Sequence, residues 1–245
     1  PVVVGEELSA EDIEKLLDEA DALFEQGKYP EVKAKMTWAY AAFERLPVKD
    51  RAQRVALLRV LCVTSVELGE NDKAIEYAAE VMSHAENDDD RGFAYHELGN
   101  AYLAEAKLDE AIGYLGKALA VLARALGPEQ PAVAHIHSSL GAAYYENREY
   151  DKAIVCHKRS LAIYSKALDP EHYSVGQSYN ELGLVYTETG ELDEAIRCLE
   201  KSLMIKLKTL HPEHPRFAIT YTNLGLAYDE KGEHDKAIAY HEKAL

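Results

Sequence analysis

Between Leu182 and Leu203 the sequence reads LGLVYTETGELDEAIRCLEKSL, and the pattern recurs. Leucine–glycine pairs stand at Leu98-Gly99, Leu140-Gly141, Leu182-Gly183 and Leu224-Gly225, each 42 residues after the last. Three residues beyond each glycine comes a tyrosine (Tyr102, Tyr144, Tyr186, Tyr228), and twelve beyond it an alanine (Ala111, Ala153, Ala195, Ala237). A period of this length marks a repeat architecture. Each copy carries two apolar segments around a break near Gly190 or Gly232, which predicts two helices per copy. The small residue after leucine lets the first helix approach the second, while tyrosine and leucines fill the space between neighbouring pairs. Asp109, Asp151, Asp193 and Asp235 are expected to cap the second helices, and the turn glycines to end the first ones in a left-handed conformation.

Fainter copies precede these four. Leu68-Gly69 with Ala74 gives one whose small position is Cys62, and Gln26 to Tyr29 with Val32 gives another whose small position is Ala20. Ala20 to Cys62 is again 42 residues, but Cys62 to Gly99 is 37, so the polar run Glu86 to Asp90 is expected to be a tight, solvated connector. Later copies are joined by ALGPEQP, ALDPEHY and TLHPEHP, with Pro128, Pro170 and Pro212 stopping the second helix. Ser9 to Asp12 has the form of a capping box. The expected fold is all-α, about six antiparallel helix pairs. Residues 1–9 form an N-terminal extension, 10–90 two divergent units, and 91–245 four regular units with the last truncated.

These motifs resemble the tetratricopeptide repeat over nearly the whole chain. The 42-residue spacing and the connector in TLHPEHPRFAITYTNLGLAYDEKGEHDKAIAYHEKAL are similar to the cargo-binding region of kinesin light chains and to nephrocystin-type repeats. The resemblance implies a right-handed superhelical solenoid whose inner wall is built mainly from first helices, and a protein-interaction role without catalysis.

Composition narrows the partner. The chain has 27 basic and 43 acidic residues and a formal charge of −16, which excludes phosphate-led nucleic-acid binding. No apolar stretch approaches the roughly 20 residues of a membrane helix. Cys62, Cys156 and Cys198 form no zinc-like cluster, and a reducing, cytoplasmic location is expected. The chain opens on Pro1 and stops at Leu245 in mid-pattern, so it is expected to be part of a longer protein, such as the regulatory or cargo arm of a motor adaptor or signalling ATPase.

Family geometry places Phe93, His96, Asn100, His135, Ser138, Tyr145, Gln177, Asn180, Leu184, Ile219, Thr222 and Leu226 on the inner wall as the partner-binding groove. Asn180 and Asn100 are singled out because an amide can both donate to and accept from a peptide backbone. Repeats of this family that grip a terminal carboxylate use cations from three successive units. Here the corresponding residues are taken as Leu17 and Asp21, Val60 and His96, which supply no such set. The expected partner is a protein or peptide, neutral to basic with apolar anchors, favoured by the negative field. Self-association through terminal repeats is the alternative. No catalytic residue, metal or cofactor is expected: no nucleophile–base order, phosphate loop or HExxH occurs. His172 and His214 belong to connectors, Cys156 and Cys198 to packing, and Trp38 to core or inter-repeat packing.

Overall fold

A computed structural model describes residues 9–209 and 216–244. Twelve helices occur among them: α1 (Ala10–Glu25), α2 (Tyr29–Phe43), α3 (Arg51–Glu67), α4 (Asn71–His84), α5 (Asp88–Ala104), α6 (Leu108–Leu126), α7 (Pro131–Glu146), α8 (Tyr150–Ala167), α9 (Tyr173–Glu188), α10 (Leu192–Thr209), α11 (Arg216–Glu230) and α12 (His234–Ala244). They form six pairs, and the fold is all-α. The chain divides after Ala125 into two compact units, one repeat beyond the sequence boundary between divergent and regular copies. Pro212, His214 and Leu245 lie outside the described residues, as does nearly all of the N-terminal extension.

One turn joins the helices of every pair. The N–H six residues into the turn donates to a carbonyl of the first helix in all six copies: Lys28 to Leu23, Glu70 to Ser65, Lys107 to Tyr102, Glu149 to Tyr144, Glu191 to Tyr186 and Glu233 to Tyr228, at 2.8–3.0 Å. The residue before each donor is left-handed, as this terminating motif requires. Gly190 (φ 77°) and Gly232 (φ 81°) fill it as expected, but the same position is held by Ala106 (φ 56°) and Arg148 (φ 59°). Those two accept a conformation that costs an L-residue about 1–2 kcal/mol.

Helix starts follow several chemistries. The Ser9–Asp12 capping box forms, Pro131 opens α7, and His172 caps α9 by accepting from the Ser174 N–H at 3.1 Å. The four repeated aspartates are a correction: Asp109, Asp151, Asp193 and Asp235 lie inside the first turn of α6, α8, α10 and α12 rather than at the cap. They act there on the positive end of the helix dipole. The Glu86–Asp90 run also departs from expectation. Asn87 caps α5 by accepting from the Asp90 N–H at 2.8 Å, and Asp90, 7% exposed, lies 3.5 Å from Arg59 and 3.6 Å from Arg51. Asp90 is buried at the helix start because α3 supplies the countercharge, while Glu86, Asn87 and Asp89 stay exposed.

The core of each unit sits between helix pairs. In the first, Ile13, Ala20, Met36, Phe43, Leu57 and Leu61 pack together, with Trp38 against them. In the second, Leu182, Tyr186, Ala195, Leu199, Leu224, Ala227 and Tyr228 do so. The repeated glycines are needed for close approach. A Cβ on Gly183 would stand 2.5 Å from Leu199 Cγ, and one on Gly99 2.6 Å from Leu115 Cγ. Gly141 and Gly225 instead face the imidazoles of His157 and His241, at 2.5 and 2.4 Å. Residues 115, 157, 199 and 241 are one repeat position, alternating Leu and His.

Candidate functional site

In the first unit α1 packs on α3 and α3 on α5; in the second α7 packs on α9 and α9 on α11. First helices therefore make one wall of each unit. The expected groove residues divide by burial along it. His135, Ile219 (55% exposed), Thr222 and Leu226 (44%) face solvent, while Leu184, Phe93, Asn100, Ser138, Tyr145 and Gln177 are half-buried.

Asn180, expected to read a peptide backbone, and His96, expected on the groove wall, are both buried. Asn180, 4% exposed, has its carbonyl oxygen occupied by the Thr220 hydroxyl at 3.0 Å and the Asn223 amide at 3.5 Å. Thr220 in turn accepts from the buried Lys206 ammonium at 2.7 Å. This chain of bonds ties α9 to α10 and α11, since a buried polar group must be satisfied. His96, 7% exposed, lies 3.0 Å from the Glu97 carboxylate and 3.3 Å from Asn100.

Carboxylates organise the rest of the wall. Ser138 Oγ donates to Glu181 at 2.6 Å, Gln177 donates to its other oxygen at 3.3 Å, and His157 Nδ1 stands 3.1 Å away. Burial pushes the Glu181 carboxyl up, but the bonds from His157, Ser138 and Gln177 outweigh it and hold the group below its ordinary value. Serine, carboxylate and imidazole meet here without the order of a nucleophilic triad, because the serine bonds to the acid and not to the base. Tyr145 donates to Glu188 at 3.3 Å, and burial together with that charge raises its phenol to about 12. Among the described residues no cluster of three metal-binding side chains occurs, and no helix is long and apolar enough to cross a membrane.

Sequence reasoning missed the cleft of the first unit. Asp21, Phe24, Arg59, Val60, Val63 and Phe93 line a cavity of about 200 Å³, and the Arg59 guanidinium sits 4.3 Å over the Phe93 ring. The register holds the missed signal: Arg59 stands three before the small residue Cys62, as His96 stands before Gly99, so it and not Val60 is the counterpart of Leu17 and His96. Its charge is already answered by Asp89 at 2.8 Å, and Arg51 lies 3.1 Å from Glu86. These cations are held by the chain's own acids.

The family model for the tetratricopeptide repeat matches residues 90–166, 136–208 and 174–245. No curated protein matches the chain. Among solved structures, BtubC (BKLC) from P. vanneervenii superposes with a TM-score of 0.70 at 22% identity, over 97% of this chain and 90% of that one. A putative kinesin light chain from Podosopora anserina with nearly identical TPR-like repeats gives 0.64 at 27% identity, over 80% and 95%. The apo form of RapI gives 0.67 at 13% identity, over 95% and 96%, a likeness of fold alone. With six copies of one helix-pair turn and these matches, the chain belongs to the tetratricopeptide repeat family, its repeats being of the kinesin light chain-like type that supports protein-interaction scaffolds.

Proposed function

We propose that the chain is a non-catalytic adaptor that holds an extended peptide or a helix of a partner protein along the wall of α7, α9 and α11. The observation that carries this is the exposure of Ile219 and Leu226, apolar side chains left uncovered on that wall. Leu184 repeats the Leu226 position one copy earlier, and Glu146, Glu188 and Glu230 are exposed on the same three helices. Apolar anchors rimmed by acids suit a segment that is apolar and neutral to basic, and the −16 charge favours its approach. His135, Leu184, Ile219, Thr222 and Leu226 are the contact residues on this reading. Ser138 and Gln177 hold Glu181 in place behind them, and Tyr145 holds Glu188 at the rim.

Selection of peptides from a displayed library against the full chain tests the proposal. Selected sequences should combine Lys or Arg with apolar residues, and I219D with L226D should weaken them at least about tenfold, the loss of one hot-spot interaction, with helicity unchanged. Acidic selected sequences, or full binding by the double variant, would overturn it. Self-association is the second reading, with the exposed Ile238 of α12 as its contact. Light scattering that shows a monomer across a wide concentration range would exclude it.

A further inference from the structure

The crevice between the second helices α8 and α10, with α9 as its floor, is a vacated aromatic slot. In the last repeat Tyr240 stacks on Tyr228, with centroids 5.5 Å apart and planes at 5°, and lies 6.2 Å from Tyr221. In the third repeat Tyr114 does the same with Tyr102 (5.4 Å, 12°) and Tyr95 (6.2 Å). The register maps Tyr95 and Tyr221 onto Tyr179, Tyr102 and Tyr228 onto Tyr186, and Tyr114 and Tyr240 onto Cys198. Two walls of the three-ring stack are kept in the fifth repeat, and the third ring is a thiol. What remains is a cavity of about 210 Å³ reaching Leu161 and Leu182.

The rim of this cavity is cationic. Lys158, Arg197 and Lys201 line it, in a chain where acids outnumber bases 43 to 27. Arg197 pairs with Glu194, whereas among the described residues Lys158 and Lys201 make no salt bridge, Lys158 being bonded to the Tyr186 hydroxyl with the Glu191 charge nearby. Their ammonium groups lie 5.5 Å over Tyr186 and 5.1 Å over Tyr179. Where the slot is filled, the counterpart of Lys201 covers the third ring: Lys117 sits 4.6 Å over Tyr114 and Lys243 5.1 Å over Tyr240. Beside the last repeat's stack the counterpart of Lys158 is Glu200 of α10, which accepts from the Tyr228 hydroxyl at 3.1 Å. The positive rim and the missing ring therefore coincide in the fifth repeat and not in the sixth.

We propose that this crevice is a binding site for a small aromatic carboxylate, whose ring takes the place of the absent tyrosine between Tyr179 and Tyr186 and whose anion meets Lys158 and Lys201. The ring gains the offset stack its counterparts show and the face of a lysine, and the carboxylate gains charge-assisted bonds at the mouth. Burial raises the Cys198 thiol, so the sulfur stays a neutral, soft part of the α10 wall.

Titration of the full chain with 3-phenylpropionate, followed by calorimetry and by tyrosine ring shifts in NMR, tests it, with 3-phenylpropionamide as the uncharged control. Saturable binding of the acid is expected, with the amide about tenfold weaker, one lost ionic contact. C198Y restores the residue found at Tyr114 and Tyr240, so it should abolish binding without lowering the melting temperature. K158E combined with K201E, both exposed and the first matching Glu200, should weaken the acid at least about tenfold, and by more than it weakens the amide, which loses only the lysine over its ring. No saturable binding of the acid, undiminished binding by C198Y, or indifference to the charge reversal would each overturn the proposal.

Discussion

The helix pairs α9–α10 and α11–α12 share one register and one turn, yet they solve the same packing problem with different residues. Beneath the glycine of the first lies Leu199, fully buried; beneath that of the second lies His241, half-buried. Outside this contact the first has Cys198 and an open crevice, the second Tyr240 and a closed stack. On the wall side the first has Glu181, 3.1 Å from His157, and the second has Asn223. The repeat fixes where helices run, and side-chain volume at a few positions decides whether the seam between them is sealed.

The largest expected break in this comparison is G183A. Its Cβ meets a Leu199 branch point that has nowhere to go, so the loss should be about 1–3 kcal/mol in chemical denaturation. G225A should cost less, because the His241 ring can swing toward solvent. Next, Y240C opens the sealed seam and should cost about 1–2 kcal/mol through the lost stack and the void. Added to it, E200K should create a second site for 3-phenylpropionate in calorimetry, and no gain of binding would show that a missing ring and a lysine are insufficient.

The turn extends the comparison to α7–α8. G190A should lower stability by about 1 kcal/mol, whereas R148G at the same left-handed position should raise it by up to about 1 kcal/mol. Thermal unfolding of the two variants measures both signs. The smallest effect is a pH dependence. The Glu181 carboxyl is held below its ordinary value of 4.5, so its contribution is present above that pH and is lost as pH falls through the lowered folded value. E181Q should flatten acid unfolding in that window, and S138A should do so partially.

The fold was largely legible because it depends on positions that repeat. Leu182-Gly183, Tyr186 and Ala195 recur at fixed spacing, and the turn that follows needs only a residue able to go left-handed. The groove was less legible. Asn180 has the residue type and register of a peptide reader, but Thr220 and Asn223 from the next first helix occupy its carbonyl, a contact set by how closely α9 and α11 pack. Arg59, 42 residues after Leu17, was hidden by a one-residue slip onto Val60.

The sequence by itself determined six helix pairs, their turns and the glycine contacts within them, because backbone conformation and steric fit are local and recur with the register. Tertiary structure alone decided which polar wall residues are spent on neighbouring helices and which face solvent. It also decided that Cys198 leaves a space where Tyr114 and Tyr240 leave none. A cavity belongs to no residue; it is the difference between the volume that neighbouring helices enclose and the volume their side chains fill.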